Sequence, residues 1–195
     1  MGQEHRGKGV NVALGPMMNM GRLAQGGRNW EGFGADPFLT GEAAYETILG
    51  MQQGGVVACA KHLIGKSVRF SSFSTFKGSL LIMSFCSEQE HNRTTYSSDI
   101  DDRTLHEIYA QPFLKSIMAG VGSIMCSYST LSLKIIPPIG PLLTNFRVDL
   151  LNGTYACEND KLMNDIIKRE FGFQGCEYLT TYMRFFLTFS IIQLL

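Results

Sequence analysis

Net charge is the first thing missing from this chain. Its 17 lysines and arginines are matched by 17 aspartates and glutamates. It therefore has neither the basic footprint of a nucleic-acid binder nor the polybasic patch of a membrane-surface anchor. Cysteine is scarce: five in 195 residues do not make a disulfide scaffold at this size. No cluster of His, Cys or carboxylates has metal-ligand spacing, so no metal is expected. The N-terminus lacks the apolar core of a signal peptide. Met1-Gly2-Gln3-Glu4-His5 leads almost at once into a strand, so a missing beginning is expected rather than a cytosolic chain. No apolar run reaches the roughly 20 residues of a membrane span. The tail, ending Ile191-Ile192-Gln193-Leu194-Leu195, is short, interrupted and without a lipid-anchor signal. It reads as a core helix or an aggregation-prone end.

What is present is ample apolar content and clustered glycine, Gly26-Gly27 and Gly32-Phe33-Gly34, which reads as functional loop. Gly9 to Pro16 alternates and then stops at Gly-Pro, a strand running into a loop. The loop from Met17 to Pro37 is long, and Trp30 and Phe33 argue against disorder, with Trp30 as the expected anchor. Thr40 can cap a helix from Gly41 to about Gln52 with Ala44, Tyr45, Ile48 and Leu49 on its apolar face. Gly55 to Ala60 is a short apolar run, a buried strand. Asp101-Asp102 opens a helix with Leu105, Ile108 and Tyr109 on one face, and Pro112 should break or kink it. Val121 to Tyr128 is a third strand. Asn159 caps a helix carrying Leu162, Ile166, Ile167 and Glu170, stopped at Phe171-Gly172.

Strand and helix thus alternate, the mark of an α/β parallel sheet with helical crossovers. Three units cannot close an eight-unit barrel of about 250 residues. Three stretches break the pattern: about 66–87 (Ser/Phe-rich), about 129–148 (with Ile135-Ile136-Pro137-Pro138), and the tail 176–195.

Lys61 and His62 stand where the Val56 strand stops. In α/β sheets ligand-handling residues collect at such carboxyl ends. A Lys-His pair there offers donors to a polyhydroxyl or anionic ligand, although a lysine at a strand end also serves as a solvated flank.

From Gly7 to Pro16 and from Gly26 to Pro37 (Gly-Gly-Arg-Asn-Trp-Glu-Gly-Phe-Gly-Ala-Asp-Pro) the chain resembles the N-terminal (β/α)-barrel domain of fungal β-glucosidases of glycoside hydrolase family 3. Ala60-Lys61-His62, Glu88-Gln89-Glu90-His91-Asn92-Arg93, Met125-Cys126-Ser127-Tyr128, Asn152 to Asn159 and Phe171-Gly172-Phe173-Gln174-Gly175 continue it in the family's order. The resemblance implies an incomplete TIM-like (β/α) barrel over residues 1–175, with insertions at about 66–87 and 129–148 and a tail outside the family. It implies a retaining mechanism on β-D-glucosides, in which an aspartate attacks and a glutamate from a second domain acts as acid and base. Arg28, Lys61, His62 and Arg93 would hold sugar hydroxyls, with Tyr128 near the nucleophile. No metal or organic cofactor is implied, and the partner is a β-glucoside or glucose, with β-xylosides as the runner-up. Cysteines 126 and 157 would bridge a short loop. Other readings stand beside these: Arg28 paired with Glu31 or Asp36, Arg93 paired with Glu90, His62 as a satisfied core histidine.

The chain also departs from the family. Where the pattern has its nucleophilic aspartate, beyond Gly175, stands Thr180. A hydroxyl is no substitute for a carboxylate leaving group. Glu177 has the right chemistry but lies three residues early, on the opposite face of a strand. No catalytic residue is therefore assigned. The three departures begin abruptly after well-matched segments and read as translated introns; Gly65-Lys66-Ser67 can be encoded by GGTAAGT, a splice-donor-like string. The sequons Asn92-Arg93-Thr94 and Asn152-Gly153-Thr154 tilt the expectation towards a secreted glycoprotein.

Overall fold

The computed structural model describes residues 1–22, 24, 28–64, 97–98, 100–127, 150–151 and 154–178. The chain opens not on a strand but on a short helix, α1 (Gly2–Gly7). Lys8 pairs with Glu4 one turn back at 2.7 Å, the favourable helical spacing. Then comes β1 (Val12–Ala13), the core of the expected first strand.

Helix α2 (Pro37–Gln53) starts earlier than the sequence predicts. The cap is Asp36, whose carboxylate accepts the Leu39 N–H at 2.8 Å. Pro37 follows at the first helical position, where a missing N–H costs nothing. Thr40 is inside the helix and fully buried, with no partner for its hydroxyl among the described residues. An Asp-Pro pair therefore outcompetes a threonine four residues on. The apolar face holds: Ala44 and Ile48 are buried, with Tyr45 and Leu49 packed at the margin.

Strand β2 (Val57–Leu63) runs past the apolar run to include Lys61 and His62. After β3 (Ser97–Ser98), α3 (Asp102–Thr104) is capped by Asp101, whose carboxylate accepts the Thr104 N–H at 3.0 Å. The expected break at Pro112 does not occur. Residues 102–118 wind on through π turns at Leu105–Ala110 into α4 (Gln111–Met118). Proline crowds the carbonyl four residues back and lacks an N–H; the wider π turns before it make room. Strand β4 is Ser123–Cys126, shorter than predicted. The short strands β5 (Leu150–Leu151) and β6 (Thr154–Tyr155) form an antiparallel pair, with β3 parallel to β5. Helix α5 (Lys161–Glu170) is wound in π turns, and Asn159 accepts the Leu162 N–H at 3.0 Å, as expected of a cap. Gly172 ends it at φ +73°, a conformation that favours glycine. Strand β7 (Cys176–Tyr178) follows.

The strands order as β1-β2-β4-β7, all parallel, with β1 and β7 outermost. The α/β class and the parallel crossovers are as the sequence predicts. One core lies between this sheet and the helices: Ala58, Ala60, Leu63 and Ile124 from the strands meet Ile48, Phe113, Leu162 and Ile166. A fully buried side chain of this kind contributes about 1.5–3 kcal/mol. Lys115 and Glu42, 2.5 Å apart, tie α4 to α2.

Candidate functional site

The site grows from the end of β2. Beyond β1 the chain turns at Gly15-Pro16 and runs beside β2: Cys59 N–H donates to Gly15 O at 3.0 Å, Lys61 N–H to Pro16 O at 2.9 Å, and Met18 N–H to Lys61 O at 2.7 Å. Met17, Met18 and Met20 are all but fully buried and anchor this loop. Trp30 does not: it is 83% exposed, which corrects the sequence reading. The buried apolar positions of the loop are taken instead by these methionines, flexible side chains that adapt to irregular gaps. Gly32 sits so close to Met17 that a Cβ there would approach its methyl to 2.9 Å. That close approach brings the turn Asn29–Glu31 against the β2 end.

On the other side, β2 pairs Lys61 with Met125 and Leu63 with Cys126 of β4, so His62 is an extra residue in the ladder. Such bulges re-aim side chains at functional sheet ends. The Lys61–His62 peptide is cis.

Glu31 joins the cations. Its Oε1 lies 2.5 Å from Arg28 Nε, and its Oε2 lies 2.9 Å from Arg28 Nη2. The same Oε2 is 2.8 Å from Lys61 Nζ. All three side chains are largely shielded, at 24% exposure for Arg28, 16% for Glu31 and 12% for Lys61. The guanidinium fork, and to a lesser degree the lysine, outweigh the burial penalty and hold the Glu31 carboxyl down to about 2. The Arg28–Glu31 pair weighed from sequence is therefore present, but as a half-buried cluster that also takes in Lys61.

His62 is 2% exposed. Asn19 clasps it from the loop: its side-chain amide donates to His62 O at 3.0 Å, its Oδ1 accepts the His62 N–H at 2.9 Å, and the same oxygen is 3.3 Å from Nδ1. Sequence reasoning missed Asn19 altogether and treated Glu31 only as a surface partner. The available signal for Asn19 was its place as the lone polar residue in Met-Met-Asn-Met. Arg93, Tyr128, Thr180 and the sequon asparagines Asn92 and Asn152 lie outside the described residues, as do all of 66–87 and 129–148 and the tail beyond Tyr178. Glu177, in β7, pairs through its backbone with Ile124 of β4.

Cys126, at the end of β4, is bonded to Cys157 before α5, with Cα atoms 5.5 Å apart. Cys59 is a buried free thiol, its ionisation pushed up chiefly by burial. Among the described residues no group of three His, Cys, Asp or Glu could hold a metal, and no helix is long and apolar enough to cross a membrane.

Residues 1–74, which contain the whole Arg28–Glu31–Lys61 cluster, match the glycosyl hydrolase family 3 N-terminal domain. The chain is 43% identical over 176 residues to a probable β-glucosidase G of Aspergillus flavus, covering 90% of this chain and 18% of that protein. It superimposes on a family 3 β-glucosidase of Neurospora crassa with a TM-score of 0.66 and 42% identity, over 90% of this chain and 18% of that one. Against β-glucosidase 3B of Thermotoga neapolitana, solved in complex with glucose, the TM-score is 0.69 at 29% identity, over 92% and 20%. The chain thus spans about a fifth of the length of these relatives, and its first 74 residues are similar to the N-terminal domain of glycosyl hydrolase family 3.

Proposed function

We propose that the β2 end is part of a site for the terminal β-D-glucosyl group, of the kind β-glucosidases use, and that this polypeptide as written binds without turning over. The observation that carries the reading is the convergence of Arg28 and Lys61 on one shielded carboxylate. Charged donors fixed in place in this way suit paired sugar hydroxyls, whose hydrogen bonds strengthen as an oxocarbenium-like state forms. A glucose complex of a relative sharing this fold supports the ligand class. His62, Arg93 and Tyr128 are the further ligands of the proposal, within a TIM-like barrel. Glucose is favoured over xylose, and secretion, with glycans on Asn92 and Asn152, belongs to the same reading.

Retaining hydrolysis needs a carboxylate nucleophile and a second carboxyl as acid and base. By the family resemblance, Thr180 falls where the nucleophile is expected, and the acid/base is expected from a second domain. An aryl β-glucoside incubated with the purified chain should release no phenol; turnover would overturn the reading of Thr180. Calorimetry with glucose should give heat that is lost in Lys61→Ala. No heat from the native chain would leave a non-functional translation product as the better account.

A further inference from the structure

The side-chain amide of Asn19 has no freedom in how it faces His62. Of the two backbone groups it meets, the His62 N–H can only donate and the His62 carbonyl can only accept. Nδ2 therefore lies on the carbonyl at 3.0 Å and Oδ1 on the N–H at 2.9 Å. Turning the amide over would set donor against donor and acceptor against acceptor, at a residue that is 2% exposed. The backbone thus fixes which amide atom is the oxygen, and that same Oδ1 is 3.3 Å from the ring nitrogen Nδ1. An amide oxygen only accepts, and its two lone pairs suffice for both contacts. A bare lone pair on Nδ1 would repel it, whereas a proton on Nδ1 makes the contact a hydrogen bond.

We infer that Asn19 is a positioning residue that holds His62 as the neutral tautomer with its proton on Nδ1, so that Nε2 carries the lone pair and serves the end of β2 as a hydrogen-bond acceptor. The hydrogen bond made by one ring nitrogen sets the role of the other. Whatever meets Nε2, a protein group or a ligand, must then bring the hydrogen. The consequence for ligands rests on the reading of His62 and Lys61 as sugar ligands. Lys61 can only donate, and His62 in this tautomer accepts at Nε2. A hydroxyl answers both residues; a carboxylate or an ether oxygen, having no hydrogen to give, answers only the lysine.

Nitrogen-15 NMR of the chain labelled at its four histidines reads the tautomer directly, with the His62 signals assigned by their loss in His62→Gln. At pH 8 and without ligand, the native chain should show Nδ1 protonated and Nε2 bare. A proton on Nε2, alone or together with Nδ1, overturns the inference. Asn19→Ala removes the acceptor and should let the Nε2–H form appear. Asn19→Asp keeps an oxygen in its place and should hold the proton on Nδ1, a rescue that a purely structural role for the loop would not give. A tautomer unchanged in Asn19→Ala, or an Nδ1 proton lost in Asn19→Asp, overturns Asn19 as its cause. Should Asn19→Ala fail to fold, the native chain and Asn19→Asp decide. Glucose, added last to the native chain, should shift the Nε2 resonance without protonating it, and protonation there overturns the acceptor role. No shift and no heat with glucose would remove the sugar reading alone, because the tautomer is measured before any sugar is present.

Discussion

Glu31 concentrates more of the site's electrostatics than any other described residue. Its carboxyl titrates at about 2 in the folded chain against an ordinary 4.5. A depressed acid contributes stability that is fully present above its unfolded value and lost as pH falls through the folded one. The melting temperature should therefore fall between pH 4.5 and 2, and Glu31→Gln should flatten that part of the profile. An equal slope in both proteins would remove Glu31 from the account. Asn19 acts on the neighbouring residue through backbone bonds in both directions. Truncating it removes two backbone hydrogen bonds from a nearly buried His62, at about 1–3 kcal/mol. Denaturant unfolding of Asn19→Ala should show that loss, and glucose affinity, if the site is as proposed, should fall with it.

At the scale of elements, α2 shows how closely spaced signals compete. Asp36→Ala should cost about 1 kcal/mol by removing the cap bond to Leu39. Thr40→Ala should cost far less, because its buried hydroxyl has no described partner to lose. The reverse ranking in thermal melts would restore Thr40 as the cap. A second junction joins the start of α3 to α5. His106, on the π-wound turns, lies 2.7 Å from Asp102 O and 3.3 Å from Glu170 Oε2, and Lys161 pairs with Asp102. The Asp102 carbonyl, then Glu170 and the Asp102 carboxylate, push the His106 ionisation upward. A raised histidine stabilises below its unfolded value, and that contribution disappears as pH rises through the folded one. The native chain should lose stability above neutrality relative to His106→Gln, as read by melts at pH 6 and 8. These helices were legible in the sequence through their apolar faces, since Leu105, Tyr109, Leu162 and Ile166 are buried as the spacing demands. Their winding was not, because π turns answer to Pro112 and to packing rather than to the apolar period.

For the whole molecule, the bond between Cys126 and Cys157 closes a long span of chain, 31 residues in sequence separation. In the chain-entropy picture a loop of that size contributes about 3–4 kcal/mol. Cys126→Ser with Cys157→Ser should lower the denaturant midpoint accordingly, and a midpoint unaffected by the double substitution would mean the span is held by other contacts. The proposed insertions at about 66–87 and 129–148 have a direct check in the transcript. Mature messages lacking those segments support translated introns, and messages retaining them end that idea. Either way, residues of one proposed pocket, Lys61 and Arg93, are separated by a stretch that the family pattern bridges briefly. Lengthening a loop costs only about 0.6 kcal/mol per doubling, so the burden falls on sheet closure rather than on chain entropy.

By itself the sequence determined the alternation of parallel strands and helices, the buried faces, the Asn159 cap and the resemblance to the family. These follow from local periodicity, capping chemistry and ordered motifs, which neighbours in sequence suffice to specify. Only the tertiary structure decided that Met17, Met18 and Met20 rather than Trp30 hold the loop, that Asn19 clasps His62, and that one carboxylate serves both Arg28 and Lys61. Those outcomes depend on the loop after β1 lying alongside β2, a pairing between distant parts of the chain whose geometry no local pattern encodes.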